Sequence, residues 1–174
     1  MKKGALNALL VDITNVDRML KMVTIKWQKI HPAAVIPRVQ KTGDAGADIS
    51  SCENIEIAPR ERKIVRTGLK VEIPPGYEMQ VRPRSGLSAK TSLIIPNSPG
   101  TIDSGYRGEV GVIMWNTGEN PYYIKTGDRI AQVVVQKIPD VVHEEVTEIT
   151  DTERGTGGFG STGLSTDLLA CRFG

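Results

Sequence analysis

Aromatic residues, cysteine and surplus charge are all scarce in this chain of 174 residues, and each shortage narrows what it can be. Two Phe, two Trp and four Tyr make up only 5% of the sequence, so a core must be built from Val, Ile and Leu and gains from burying surface between subunits. Cys52 and Cys171 are the only cysteines; neither has a second Cys or a His at zinc-like spacing, and reduced thiols in a cytosol-like compartment are expected. Twenty-two Lys and Arg against twenty Asp and Glu leave a net charge of +2, too even for a broad footprint on nucleic acid, so any bound anion should be small. No apolar run approaches bilayer length, and the apolar start is broken by Asp12, Asn15 and Asp17 before any small-residue cleavage signal. A soluble, cytoplasmic protein is expected, with neither nucleic acid nor membrane as partner.

What is abundant is Gly and Pro, eighteen and ten residues. A helical domain would lose roughly 1 kcal/mol per interior Gly and about 3 per Pro, so the composition favours strands and turns. Short β-branched runs follow one another: Val23 to Trp27, Ile64 to Ile73, Tyr77 to Val81, Leu93 to Ile95, Val110 to Trp115 and Ile130 to Val135. Turn clusters such as Pro74-Pro75-Gly76, Asn116-Thr117-Gly118 and Thr126-Gly127-Asp128 separate them. Many short strands in one domain predict a sandwich, jelly roll or barrel. The core is expected over 23–150. Before it, 1–22 carries Leu6, Leu9, Leu10, Ile13, Val16 and Leu20 at helical steps, an extension that lies on its own domain or stays apart from it. After it, 151–174 is a Gly-rich arm and tail with too few large apolar residues to hold itself down by burial.

Several segments have the makings of a site. In the arm, Gly155, Gly157 and Gly160 match a dinucleotide fingerprint, but the strand, helix and distant acid that the fingerprint needs are absent, and Ser161 stands where a P-loop lysine would be. A Gly-rich segment can still turn backbone N–H groups toward phosphate, with Arg154, Ser161 and Thr162 adding a charge and two hydroxyls. Arg84, Ser85 and Gly86 place a guanidinium and a hydroxyl after a strand, which is either an anion seat or a solvated turn. Between two strands, 100–108 looks like a hairpin presenting Asp103 beside Tyr106; Asp103 can deprotonate a water and Tyr106 can stack under a sugar, or the pair is an ordinary Asp turn with a packing Tyr. Asp44 and Asp48 lie in a small-residue turn where a carboxylate can hold hydrated Mg²⁺. His31 and His143 have no partners of a triad or zinc site.

Taken in order, five segments resemble the motifs of the trimeric dUTPase family: Ala45 to Ile49, Pro83 to Leu87, Asn97 to Glu109, Gly127 to Gln132 and Arg154 to Gly163. The likeness spans Val23 to Gly163. It implies an all-β, distorted jelly-roll (β-clip) fold and a homotrimer whose active sites are each built from three chains. It further implies hydrolysis of dUTP to dUMP and pyrophosphate, limiting uracil incorporation into DNA and supplying dUMP for thymidylate synthesis. By position, Asp103 holds the attacking water; Tyr106 packs on the deoxyribose; Asn97, Gly100, Thr101 and Ile102 read the uracil. Arg84, Ser85, Gly86, Gln132 and Arg154 hold the phosphates, and Asp48 holds Mg²⁺ through water. Phe159 and Gly160 cover the base, with Ser161 and Thr162 on the γ-phosphate.

The sequence departs from the usual motifs at Ile49, at Ser104-Gly105 before Tyr106, and at Gly111, which should weaken the strand after the third motif. Two rivals stand beside this reading. A dCTP deaminase-related enzyme resembles the family in fold but needs a glutamate in that strand, and Val110 to Trp115 has none. A nucleotide-sensing module would keep the pocket and lack turnover.

Overall fold

The computed structural model of the protein describes residues 22–158, within which eleven strands and one short helix form. The helical spacing of 1–22 lies outside the described residues except for Met22, as do Phe159, Gly160, Ser161 and Thr162. One antiparallel sheet runs in the order β1 (Lys26–Lys29), β5 (Arg62–Glu72), β9 (Glu109–Asn116), β7 (Leu93–Ile94). A second runs β2 (Arg38–Val39), β3 (Ala47–Ser50), β11 (Arg129–Lys137), β6 (Tyr77–Arg82), β8 (Gly100–Ile102), and β10 (Tyr122–Ile124) pairs with β4 (Ile55–Ile57) as a ribbon. Helix α1 (Ser85–Lys90) fills the step from β6 to β7.

Period-two alternation gives each sheet one apolar face. β9 buries Val110, Val112 and Met114, β5 buries Val65, Leu69 and Val71, and both meet Met79, Val81, Ile130 and Val133 of the other sheet in one cluster. Each such aliphatic side chain contributes roughly 1.5–3 kcal/mol on full burial, which is how a chain poor in aromatics holds together. Asn116 is the polar exception, fully buried. Its amide donates to Ile57 O and Asn120 O at 3.0 and 2.8 Å, while its oxygen accepts from Ser92 Oγ at 2.6 Å and Gly118 N at 3.0 Å. The Asn expected to serve a turn therefore ties β9 to its neighbours with its hydrogen-bonding groups satisfied. Cys52 is a buried free thiol, and burial pushes its pKa up from the ordinary value, so it stays protonated near neutrality.

All six expected strand runs are present, the first displaced to Lys26–Lys29. Strands β2, β3, β4, β8 and β10 were not expected from the sequence. They span two to four residues, too few to display a period, and are held by cross-strand pairing, with partners outside the neighbouring strand for all but β2. Two local readings need correction. Asp48 sits in a strand rather than a turn, because Ala47 and Asp48 pair with Val133 and Gln132 of β11. The segment 100–108 is not a hairpin: β8 joins β6 while β9 joins β5, so the flanking strands belong to different sheets. At Gly111 β9 stays continuous, and Ile64 Cγ2 occupies the space its missing side chain leaves.

Contacts cluster into two compact units, Met1–Asp140 and Val141–Gly174. In the described part of the second, 141–158 holds no regular element and is nearly all exposed. Local turns shape it: Gly155 N donates to Thr152 O at 3.0 Å, and Arg154 Nε donates to Gly157 O at 2.9 Å. No helix among the described residues is long and apolar enough to cross a membrane.

Candidate active site

Two groups of the singled-out residues take shape on the five-stranded sheet. The first surrounds Asp48. Cross-strand pairing sets Arg38, Asp48, Gln132 and Arg82 in one row across β2, β3, β11 and β6, and directly paired residues share a face. Arg84, two residues past the end of β6, donates from Nε to Asp48 Oδ1 at 2.6 Å and from Nη2 to Oδ2 at 3.3 Å. Arg129 Nη1 donates to the same Oδ2 at 3.0 Å, and its carbonyl accepts from Arg84 Nη1 at 3.2 Å. One carboxylate between two guanidiniums leaves a local surplus of positive charge, part-buried and suited to a polyanion. Gln132 Nε2 donates to Pro83 O at 2.8 Å, fixing the turn that carries Arg84. Ser85 and Gly86 open α1 in exposed positions, and the space around Gly86 is open.

Gly46 makes the Gln132 anchor possible, since a Cβ there would run into Gln132 Oε1. Gly46→Ala should displace that amide, loosen the Pro83 turn and cost about 1–3 kcal/mol of stability, the usual range for overpacking. Chemical denaturation checks this; an unchanged midpoint would show that Gln132 yields freely.

The second group lies at β8 and beyond. Thr101, Ile102, Asp103, Tyr106, Glu109, Val110 and Gly111 line an open cleft of about 200 Å³. Asp103 is exposed, and its carbonyl accepts from Tyr106 N at 3.1 Å, closing the turn that sets both side chains on the cleft. The Tyr106 hydroxyl donates to Glu109 O at 2.8 Å, and its ring covers Gly108 so closely that a Cβ there would overlap the phenol. Asn97 leans on Gly100 in the same way, its Nδ2 2.9 Å from where a Cβ would stand. Strand β8 ends its sheet, so its outer edge offers unpaired backbone groups among the described residues.

Comparison with known proteins bears on both groups. A family model described as dUTPase matches residues 32–163. The deoxyuridine 5'-triphosphate nucleotidohydrolases of Gloeothece citriformis and Clostridium kluyveri are 47% and 51% identical, covering 82% and 78% of this chain and 99% and 95% of their own. The chain belongs to the dUTPase family. Among solved structures, a mutant dUTPase of Staphylococcus bacteriophage 80alpha with dUpNHpp matches at a TM-score of 0.76 and 31% identity, over 81% of this chain and 99% of its own. A mutant dUTPase of phage phi11 of S. aureus, described with the coordination of a structural Mg(II) ion, matches at 0.69 and 28% identity, over 74% and 99%. With the family comes its all-β jelly-roll architecture.

Within one copy of this dUTPase-family chain the two groups stand apart. Asp48 and Asp103 are separated by three strand spacings and about four residues of strand rise, roughly 20 Å. Arg154 belongs to the other compact unit, and Phe159, Gly160, Ser161 and Thr162 are outside the described residues. Sequence reasoning passed over Arg129 although it named the motif containing it. Along a regular strand, 129 and 132 point to opposite faces, so Gln132 argues against Arg129. The register of β11 on β3 shifts between Arg129 and Ala131, and that irregularity brings Arg129 round to Asp48.

Proposed function

We propose that the chain is a dUTP diphosphatase that hydrolyses dUTP to dUMP and pyrophosphate by in-line attack of water on the α-phosphorus, at sites formed between copies of the chain in a homotrimer. The observation that carries this is the division of the family's motif residues into a polyanion seat at Asp48 and an Asp-Tyr cleft at 103–106, roughly 20 Å apart in one chain. The reacting phosphorus cannot meet both within one copy, whereas the seat of one protomer and the cleft of its neighbour can face each other across a closed, rotationally symmetric interface. The dUpNHpp complex of the phage relative supports a deoxyuridine triphosphate as the ligand.

In this reading the free edge of β8, at Gly100, Thr101 and Ile102, meets the uracil imide as a neighbouring strand would, with Asn97 beside it. Tyr106 packs under the deoxyribose and leaves no room for a 2′-hydroxyl, a rejection by sterics. Asp103 accepts a proton from water as that water attacks. Arg84, Ser85, Gly86 and Gln132 hold the phosphate chain, and Arg129 joins them by holding Asp48. Arg154, with Phe159, Gly160, Ser161 and Thr162 of the Gly-rich arm, closes over the nucleotide from the third chain and excludes bulk water.

Magnesium fits the donor set in one way only. Among the described residues no three His, Cys, Asp or Glu gather as ligands, and both Asp48 oxygens already accept from arginines. A hard cation that keeps its waters can rest on one carboxylate through water and take its other ligands from phosphate. When bound there, Mg²⁺ offsets the charge that builds on departing pyrophosphate.

The test is pyrophosphate release from dUTP with Mg²⁺, alongside incubation with dCTP. Release from dUTP and no ammonia from dCTP are expected, because β9 between Val110 and Trp115 has no glutamate and the Glu109 carboxylate is engaged elsewhere. Ammonia from dCTP would sink the assignment.

A further inference from the structure

Strands β5 and β9 run in register from Arg62↔Trp115 to Arg66↔Gly111, then resume at Lys70↔Glu109, so residues 67–69 of β5 stand against Val110 alone. Such a bulge leaves backbone groups off the ladder. Gly68 forms its apex with φ of 67°, packed against His31, Ala34 and Cys52, and there is no room for a side chain. Thr67 Oγ1 donates to Val110 O at 2.5 Å and accepts from Leu69 N at 3.3 Å. At the apex, Gly68 N finds the Glu109 carboxylate: Oε1 accepts from it at 2.9 Å, while Oε2 accepts from Arg66 Nε at 3.2 Å. Glu109 therefore plugs the bulge with its side chain while its own carbonyl accepts from the Tyr106 hydroxyl.

We propose that Glu109 is a positioning residue for sugar recognition, locking the first residue of β9 into the β5 bulge so that its carbonyl fixes the Tyr106 ring. The inference rests on the role given above to Tyr106. It goes further in placing control of ribose exclusion in a carboxylate that does not touch the sugar and in an irregularity of a strand in the other sheet. The physical case is one of leverage. The Arg66–Glu109 pair is partly exposed, with side chains 49% and 24% accessible, and such pairs add little to stability. The ring it steers sits where displacement by an ångström can change a rate by about a hundredfold.

The experiment is the ratio of kcat/KM for dUTP to that for UTP, measured with thermal melting on the assembled protein. Glu109→Ala should lower that ratio about tenfold, through a higher KM for dUTP and better acceptance of UTP, with kcat for dUTP within about threefold. Glu109→Gln, whose amide oxygen still accepts from Gly68 N, should stay within about twofold of the parent ratio. Arg66→Ala, which leaves the Gly68 hydrogen bond intact, should stay within about threefold. A lowered melting temperature with an unchanged ratio in Glu109→Ala would reduce Glu109 to a structural role and overturn the inference. If Glu109→Ala does not fold, Glu109→Asp withdraws the oxygen from Gly68 N by one methylene; a severalfold lower ratio is expected, and an unchanged one overturns the inference equally. Tyr106→Ala separates the two levels. A ratio unmoved by it defeats the sugar reading and this inference with it, whereas a ratio that falls in Tyr106→Ala but not in Glu109→Ala defeats this inference alone.

Discussion

Asp103→Asn should lower kcat for pyrophosphate release from dUTP by about 10²–10⁴-fold, the usual span for loss of a general base, while KM changes little. The substitution preserves size and hydrogen-bonding reach and removes the negative charge and with it the capacity to take a proton. Asp103 is exposed, and the turn it belongs to is closed by its backbone carbonyl rather than by its carboxylate. Folding and melting temperature should therefore stay at parental values, which separates a chemical from a structural loss. Had the carboxylate merely oriented nucleotide, KM would rise and kcat would hold, because uniform binding does not alter the chemical step. A variant that turns over within tenfold of the parent would remove Asp103 from the base role and leave the cleft as a binding surface.

The long strands were more legible in the sequence than the short ones and the geometry that joins them. β5, β6, β9 and β11 span six to eleven residues, enough for alternation to show, and they carry the buried cluster. β3 and β8 are four and three residues long and hold Asp48 and the edge of the five-stranded sheet, yet their own residues give little sign of strand. Their state is imposed by β11 and β6, partners far away in the chain. Irregularities hid the rest. A register shift brings Arg129 to Asp48, and a bulge brings Gly68 to Glu109; both break the period-two rule by which a strand is read. Motif order did locate Asp103 and Tyr106 in one cleft, because only a short turn separates them and spacing alone keeps them together.

Mixing two inactive chains should restore activity. Asp48→Asn weakens the seat and leaves the cleft untouched; Asp103→Asn does the reverse. Each variant alone should retain about a hundredth of parental turnover or less, given the loss of a general base in one and of the part-buried carboxylate that two arginines share in the other. If a site takes its seat from one protomer and its cleft from the next, random co-assembly of equal amounts gives about a quarter of sites both intact halves, since each half is sound in half of the chains. Activity of the refolded or co-expressed mixture should rise to about a quarter of the parental value, well above the mean of the two variants measured separately. Sites contained within one chain would give no such recovery, because every protomer carries one damaged half. A mixture no more active than its components would thus return both carboxylates to a single polypeptide, at odds with the roughly 20 Å that the strand spacings put between them.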